Sequence, residues 1–157
     1  MKRKPAFLIV VFVVIAGIFI ISACKDSNSR QLPSSPAQAN TSTQDCMKRV
    51  IALDDSLGKL RNHACEKISL AETIRNYADG LQKIDFSNCP ADFTAAFEKH
   101  RQAWLQLIPA VEKYPDLRGE MHDLFDGLEH GKDADAFKPL VKTVWDTWEE
   151  IETVMKE

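Results

Sequence analysis

The stretch FTAAFEKHRQAWLQL, residues 93–107, decides the fold of this chain. Its apolar residues recur at alternating steps of four and three, from Phe93 onward, and the pattern continues to Val111. This spacing places them on one face of an α-helix, whereas a half-buried strand would alternate with a period of two. His100 is the one polar residue in the stripe. The stretch therefore predicts an amphipathic helix with one buried face.

Four further segments carry the same helical spacing, and a period of two persists nowhere in the chain. The two segments before the opening stretch carry stripes of Cys46, Val50, Leu53, Leu57, Leu60 and Ala64, and of Leu70, Ile74, Tyr77, Leu81 and Ile84. The two segments after it carry stripes of Leu117, Met121, Leu124 and Leu128, and of Phe137, Val141, Val144, Trp148, Ile151 and Met155. A seven-residue repeat suits helices that pack at shallow angles. We therefore predict an all-α domain over residues 45–157, an antiparallel helical bundle of four to five helices.

The helix count depends on a break near residues 65–68, where neither Gly nor Pro lies. Ser69 with Glu72 fits a capping box, which favours a new helix there. If the break is absent, the first two segments form one long helix. Both alternatives stay open from the sequence.

The domain has three cysteines, Cys46, Cys65 and Cys89. If the first two segments are antiparallel helices, the loop that carries Cys89 returns beside Cys46, and Cys65 lies at the opposite end. A Cys46–Cys89 disulfide follows, which suits an oxidising compartment. If the two segments form one long helix, this pairing fails. The sequence does not determine the state of Cys65.

The N-terminus has the parts of a secretory signal, a basic region followed by an apolar run and a small-residue site. Lys2-Arg3-Lys4 precedes a run without charge from Ala6 to Ile21, and the run ends in ISAC, residues 21–24. ISAC resembles the lipobox of bacterial lipoproteins. The resemblance covers residues 1–24 only. It implies that residues 1–23 are a signal peptide cleaved before Cys24, which would carry a diacylglyceryl thioether and an N-acyl chain such as palmitate.

The competing interpretation of the apolar run is an uncleaved membrane helix. The run is 16 residues long, at or just below the length needed to cross about 30 Å of hydrocarbon. Both interpretations place the rest of the chain outside the cytoplasm, because the basic end stays inside. Lys25 follows the cysteine, where in enterobacteria-like sorting an Asp would retain the protein in the inner membrane. We therefore expect the outer membrane more than the inner membrane.

Residues 24–44 are predicted to be the lipidated N-terminus and a disordered tether. Residues 25–44 contain no aromatic residue and one large aliphatic, Leu32, so they cannot bury enough surface to offset the entropy of ordering. Five basic residues and one acidic residue precede residue 45, so the totals of 20 and 23 leave 15 and 22, a net charge of −7 for the domain. Such a domain is a poor partner for nucleic acid or anionic head groups. We expect the lipid on Cys24 to make the contact with the bilayer.

His100 is the first candidate site residue, because a buried imidazole needs a partner for its donor and its acceptor. One interpretation is an axial haem ligand or a ligand to a metal ion inside the bundle. The one we favour is a core histidine bonded to Tyr77, a carboxylate or a backbone carbonyl. Covalent haem attachment is excluded because the chain lacks a C-x-x-C-H motif.

The second candidate is a row of metal-ligand types, His122, Asp126 and His130, at steps of four. At 100° per residue the row lies opposite the apolar stripe of its helix, so we interpret it as solvated surface and predict no metal site. Trp104, Trp145 and Trp148 are the third candidate. They would suit a ligand cleft, but three tryptophans in a small bundle are more often packing residues.

No nucleotide-binding loop, nucleophile elbow or pair of catalytic acids occurs in the chain, so we predict no catalytic residue, no enzyme activity and no cofactor. The sequence predicts a lipid-anchored lipoprotein of the bacterial cell envelope whose helical bundle, in the periplasm, is a non-catalytic binding or interaction module. Its expected partners are the bilayer, through acylated Cys24, and an envelope protein. The alternative is a haem- or metal-binding periplasmic bundle that uses His100. The ligand itself is not identified by any motif.

Overall fold

The computed structural model describes residues 36–156, with side chains from residue 42 onward. Within this range there are five helices and no strand: α1 (Pro36–Ala64), α2 (Leu70–Gln82), α3 (Ala91–Val111), α4 (Met121–Glu129) and α5 (Ala134–Val154). The predicted all-α class is confirmed. The predicted signal peptide, Cys24 and the first part of the tether lie outside the described residues. None of the described helices is both long enough and apolar enough to cross a membrane.

α1 and α2 are separate antiparallel helices, so the alternative of one long helix does not apply. The chain turns after Ala64, and the side chain of Ser69 accepts a hydrogen bond from the Glu72 backbone N–H at 3.3 Å to cap α2. The antiparallel arrangement brings Cys46 and Cys89 together in the disulfide predicted from the sequence, with the Cα atoms 5.3 Å apart. Cys65 is a free, buried thiol.

α3 is the central helix and packs most extensively against α5 on one side and α2 on the other. Its whole predicted stripe is buried: Phe93, Phe97, His100, Trp104, Leu107 and Val111. α4 is shorter than its predicted stripe, because it begins at Met121, where the Glu120 carboxylate accepts hydrogen bonds from the backbone N–H groups of His122 and Asp123. It packs against α5.

α1 begins nine residues before the predicted domain boundary at 45, so residues 36–44 of the predicted tether are helical. Pro36 suits a first helical position, where its missing N–H is not needed. The following Ala-Gln-Ala segment has high helix propensity. Extending an existing helix is also much easier than starting a new one, so α1 continues outward from its packed part.

The buried face of α1 differs from the predicted stripe. Leu53 and Leu60 are 41% and 66% exposed, whereas Asp54 is only 6% exposed and Arg61 is partly buried. Asp54 lies one turn beyond buried Val50, and Arg61 lies seven residues further along the same face. Burial of these charged groups requires partners in the other helices. Those partners form the candidate site.

Candidate functional site

A cleft of about 300 Å³ lies between α1, α3 and α5, with Tyr77 of α2 also in its wall. We call it the tryptophan cleft, because Trp104, Trp145 and Trp148 all line it. Trp104 is buried, whereas Trp145 is 57% exposed. The sequence interpretation of the three tryptophans as packing residues is therefore incomplete, since three residues from two helices converge on one concave surface.

Asp54 and Tyr77 form a buried hydrogen bond in the wall of the cleft. The Tyr77 hydroxyl donates to Asp54 Oδ1 at 2.6 Å. Burial raises the pKa of Asp54, while the bond from Tyr77 and the charge of Arg61 lower it. Burial, followed by the neighbouring Asp54 carboxylate, raises the pKa of Tyr77. Tyr77 therefore keeps its proton, and its hydroxyl donates a hydrogen bond to Asp54.

Arg61 is held mainly by aromatic rings. Its guanidinium carbon lies 4.5 Å from the ring centroid of Tyr77 and 4.3 Å from that of Trp104. Both Nε and Nη2 donate to a single oxygen, Asn62 Oδ1, at 3.2 Å. Burial lowers the pKa of Arg61, and its electrostatic interactions with the neighbouring Tyr77 and Asp54 side chains oppose that shift, but a guanidinium stays protonated in proteins. The ion pairs within 4 Å found among the described residues do not include Arg61.

His100 is 3% exposed, and both of its ring nitrogens are bonded. Nε2 accepts a hydrogen bond from the Trp104 indole N–H at 3.0 Å, so the ring proton is assigned to Nδ1. Nδ1–H then donates to Thr147 Oγ1 at 3.0 Å, and the threonine hydroxyl donates to a carbonyl of its own helix. Burial, with a smaller effect of the Arg61 charge, lowers the pKa of His100 to about 4. The imidazole is therefore neutral near pH 7.

Of the predicted partners of His100, which were Tyr77, a carboxylate or a backbone carbonyl, the backbone of Val144 contributes a hydrogen bond, which raises the pKa of the imidazole against the effect of burial. Tyr77 donates to Asp54 instead, and α5 brings the Thr147 hydroxyl to the imidazole from 47 residues away. Haem or metal ligation through Nε2 would require the Trp104 indole to turn away from it. The geometry is that of a core histidine that orients a neighbouring tryptophan.

The row on α4 does not come together as a metal site. His122 Nδ1 bonds to Glu120 Oε1 at 2.7 Å, and His130 Nδ1 bonds to the Asp126 carbonyl at 2.9 Å. All three residues of the row, His122, Asp126 and His130, are exposed. Across the described part of the chain, no group of three or more His, Cys, Asp or Glu residues is placed to hold a metal ion.

A second cavity, of about 350 Å³, adjoins the tryptophan cleft and shares Arg61, Asn62, Trp104 and Trp145 with it. We call it the α4 cavity. Met121 and Phe125 of α4 and Val141 of α5 give it an apolar floor. His122, Asp126 and Glu129 also line it, and the tryptophan cleft is likewise lined by charged residues, Asp54, Asp55 and Lys59, as well as by its aromatic residues. Arg61 therefore lies at the boundary between the two cavities.

The sequence analysis did not identify Asp54 and Arg61 as site residues. A signal was present: Asp54 is four residues after Val50, Arg61 is seven residues after Asp54, and Cys65 is four residues after Arg61. A search for apolar residues alone passes over these positions. Two opposite charges seven residues apart, flanked by residues of the buried face, are the pattern that identifies them.

No family model, curated protein or solved structure matches this chain. Its function is therefore proposed from its own residues.

Proposed function

We propose that this protein is a bacterial envelope lipoprotein, anchored through acylated Cys24, whose helical bundle binds a small molecule in the tryptophan cleft. The resemblance of residues 21–24 to a lipobox supports the anchor, and Lys25 favours the outer membrane. The Cys46–Cys89 disulfide suits an oxidising compartment such as the periplasm. The anchor would keep the bundle at the membrane, and binding would be its activity.

The observation that carries the binding proposal is the exposed Trp145 above a buried, already bonded polar network. Ligand sites are concave and mostly apolar, with a few fixed polar groups that set orientation. Here Tyr77 is bonded to Asp54, and His100 is bonded to Trp104 and Thr147, so these side chains are held in fixed positions. Fixed groups lower the entropic cost of binding because they need no ordering when a ligand arrives.

The same network supports a non-catalytic role. A nucleophile needs an adjacent base that is free to take its proton. The Tyr77 hydroxyl already donates its hydrogen bond to Asp54. His100 is neutral, and both of its ring nitrogens are hydrogen-bonded inside the protein. These groups orient side chains around the cleft and have no proton to exchange with a ligand.

The experiment compares Trp145→Ala with a matched control, Leu60→Ala. Both side chains are large and exposed, but only Trp145 lines the cavities. Each protein is isotopically labelled and titrated with a small-molecule extract of the native envelope, and the indole N–H signals of Trp104 and Trp148 are recorded. We expect shifts in the wild type and in Leu60→Ala, and weaker shifts in Trp145→Ala.

Indole signals that stay unchanged in the wild type would count against the binding module. The haem or metal alternative has its own test, a visible spectrum and metal analysis of protein purified from its native membrane. A Soret band or bound metal that is lost in His100→Ala would replace our proposal. Stoichiometric co-purification of one envelope protein, with silent indole signals, would instead indicate an interaction module.

A further inference from the structure

We infer that the ligand carries a carboxylate on an apolar body, with the carboxylate on Arg61 and the body in the α4 cavity beside Trp145. This inference rests on the proposed binding function and specifies the chemistry of its ligand. The observation behind it is an arginine that is only partly engaged at the mouth of a cavity with an apolar floor.

A guanidinium has five N–H donors arranged around the edge of its plane. The bonds of Arg61 from Nε and Nη2 both end on Asn62 Oδ1, and no carboxylate of the described residues pairs with it within 4 Å. The guanidinium carbon lies over the rings of both Tyr77 and Trp104, whose centroids are 5.2 Å apart, so both rings approach it from the same side. The edge formed by Nε and Nη2 faces Asn62, and the edge formed by Nη1 and Nη2 is the one that a carboxylate would match with two parallel hydrogen bonds.

The α4 cavity supplies the complement for an apolar body. Its floor consists of the buried side chains of Met121, Phe125 and Val141, and Trp104 and Trp145 also line it. A volume of about 350 Å³ suits a small aromatic or acyl group. Burial of such a group displaces water from the apolar floor, which favours binding.

A cationic ligand fits the same surfaces less well. Cations are recognised over aromatic faces, and the faces of Tyr77 and Trp104 already carry the Arg61 guanidinium. The Asp54 carboxylate is likewise bonded to Tyr77. Asp126 and Glu129 also line the α4 cavity, but the Asp126 side chain is exposed and lies 3.3 Å from His130 Nδ1, so solvent screens its charge more than that of the partly buried Arg61.

Three probes of one shape test the charge requirement: 2-naphthylacetate, its neutral amide 2-naphthylacetamide, and 2-(2-naphthyl)ethylamine, which is cationic at pH 7. Dissociation constants are obtained from the shifts of the indole N–H signals and of the Arg Nε–H signals. A hydrogen-bonded charge pair in a partly buried site predicts that the acetate binds about tenfold more tightly than the amide, or better. The amine should bind most weakly.

The variants separate the carboxylate site from the apolar site. Arg61→Gln should bring the acetate-to-amide ratio close to one, and Arg61→Lys, which keeps a cation but loses the fork, should give an intermediate ratio. Trp145→Ala should weaken both probes and leave their ratio unchanged. Arg101→Gln is the matched control, because Arg101 is paired with Glu98 at a different cavity, and it should behave like the wild type. If Arg61→Gln fails to fold, the wild-type ratio and the Lys variant still decide the result.

Equal binding of acetate and amide, or preference for the amine, would overturn the carboxylate inference and leave the binding module intact. A preference for acetate that survives in both Arg61 variants would overturn the assignment to Arg61. Silence of the indole signals with all three probes would also overturn the inference. In that case, the titration with envelope extract tests the proposed function separately. If the indole signals shift with the extract but with none of the three probes, the binding function stands and only this class of ligand is rejected.

Discussion

At the residue scale, a sequence of hydrogen bonds from Trp104 through His100 to Thr147 links α3 to α5. The direction of each hydrogen bond is fixed, because the indole can only donate, whereas the neutral imidazole has one donor nitrogen and one acceptor nitrogen. Burial of the His100 imidazole has a free-energy cost that depends on pH. The imidazole is held neutral in the folded protein, but it is free to take a proton when the chain unfolds.

The first prediction concerns this pH dependence. The pKa of His100 is about 4 in the folded protein against an ordinary 6.5, so below pH 6.5 the unfolded state binds the proton more tightly. Stability attributable to His100 is therefore complete above pH 6.5 and falls as pH decreases toward 4, by about 3 kcal/mol in total. His100→Gln should lack this component of the pH dependence, as measured by urea denaturation between pH 7 and 4.

The control for this prediction is His63→Gln, at an exposed position on α1. It should retain the wild-type slope. If the curves of His100→Gln and the wild type run parallel over this range, His100 takes its proton in the folded state as readily as in the unfolded state, and the neutral assignment is wrong.

The second prediction concerns Tyr77. Tyr77→Phe removes the hydroxyl that donates to buried Asp54 and leaves the carboxylate without that bond. Leaving a buried acceptor without its hydrogen-bond donor costs about 1–3 kcal/mol, so we expect a loss of that size in the free energy of unfolding. Chemical denaturation at pH 7 measures it.

Tyr114→Phe is the matched control for Tyr77→Phe. The Tyr114 hydroxyl also donates to a carboxylate at 2.6 Å, that of Asp133, but at a partly exposed position where water replaces the lost partner. Its loss of stability should be clearly smaller. Similar losses in the two variants would show that burial does not strengthen the Tyr77 bond.

At the element scale, the Cys46–Cys89 disulfide joins α1 to the loop after α2. The cysteines are 43 residues apart, and closing a loop of that length restricts the unfolded chain by about 4 kcal/mol in the chain-entropy model. The third prediction is that Cys46→Ala/Cys89→Ala lowers the free energy of unfolding by about this amount. Thermal or urea denaturation without reductant measures the loss.

Reduction provides the control for the disulfide. Dithiothreitol should destabilise the wild type and leave the double variant unchanged, because Cys65 forms no disulfide in the described part of the chain. A wild type that is insensitive to reductant under conditions that reduce the bond would show that the packing of α1 against α2 suffices without the disulfide.

At the scale of the whole molecule, the proposed anchor separates the protein into a membrane part and a binding part. The fourth prediction is that protein extracted from its native membrane has an intact mass that begins at Cys24 and includes acyl chains. Cys24→Ala should remove the acyl mass and leave the chain uncleaved. An unmodified full-length wild-type mass would instead favour an uncleaved membrane helix.

The sequence by itself determined the all-α class and most of the helix faces, because these follow from local periodicity. The Cys46–Cys89 pairing was predicted only for antiparallel α1 and α2, and the structure decided that condition. The stripe of α3, from Phe93 to Val111, is buried as predicted because α3 is packed between two neighbouring helices and almost any apolar face there is covered.

Only the tertiary structure decided the inner face of α1 and the existence of the site. Asp54 and Arg61 turn inward, and Leu53 and Leu60 outward, because Tyr77 of α2 and Trp104 of α3 accommodate the charged groups. The burial of a charged residue depends on partners that are distant in sequence, so no local pattern fixes it. Packing of α1, α3 and α5 likewise gathers the three tryptophans into one cleft.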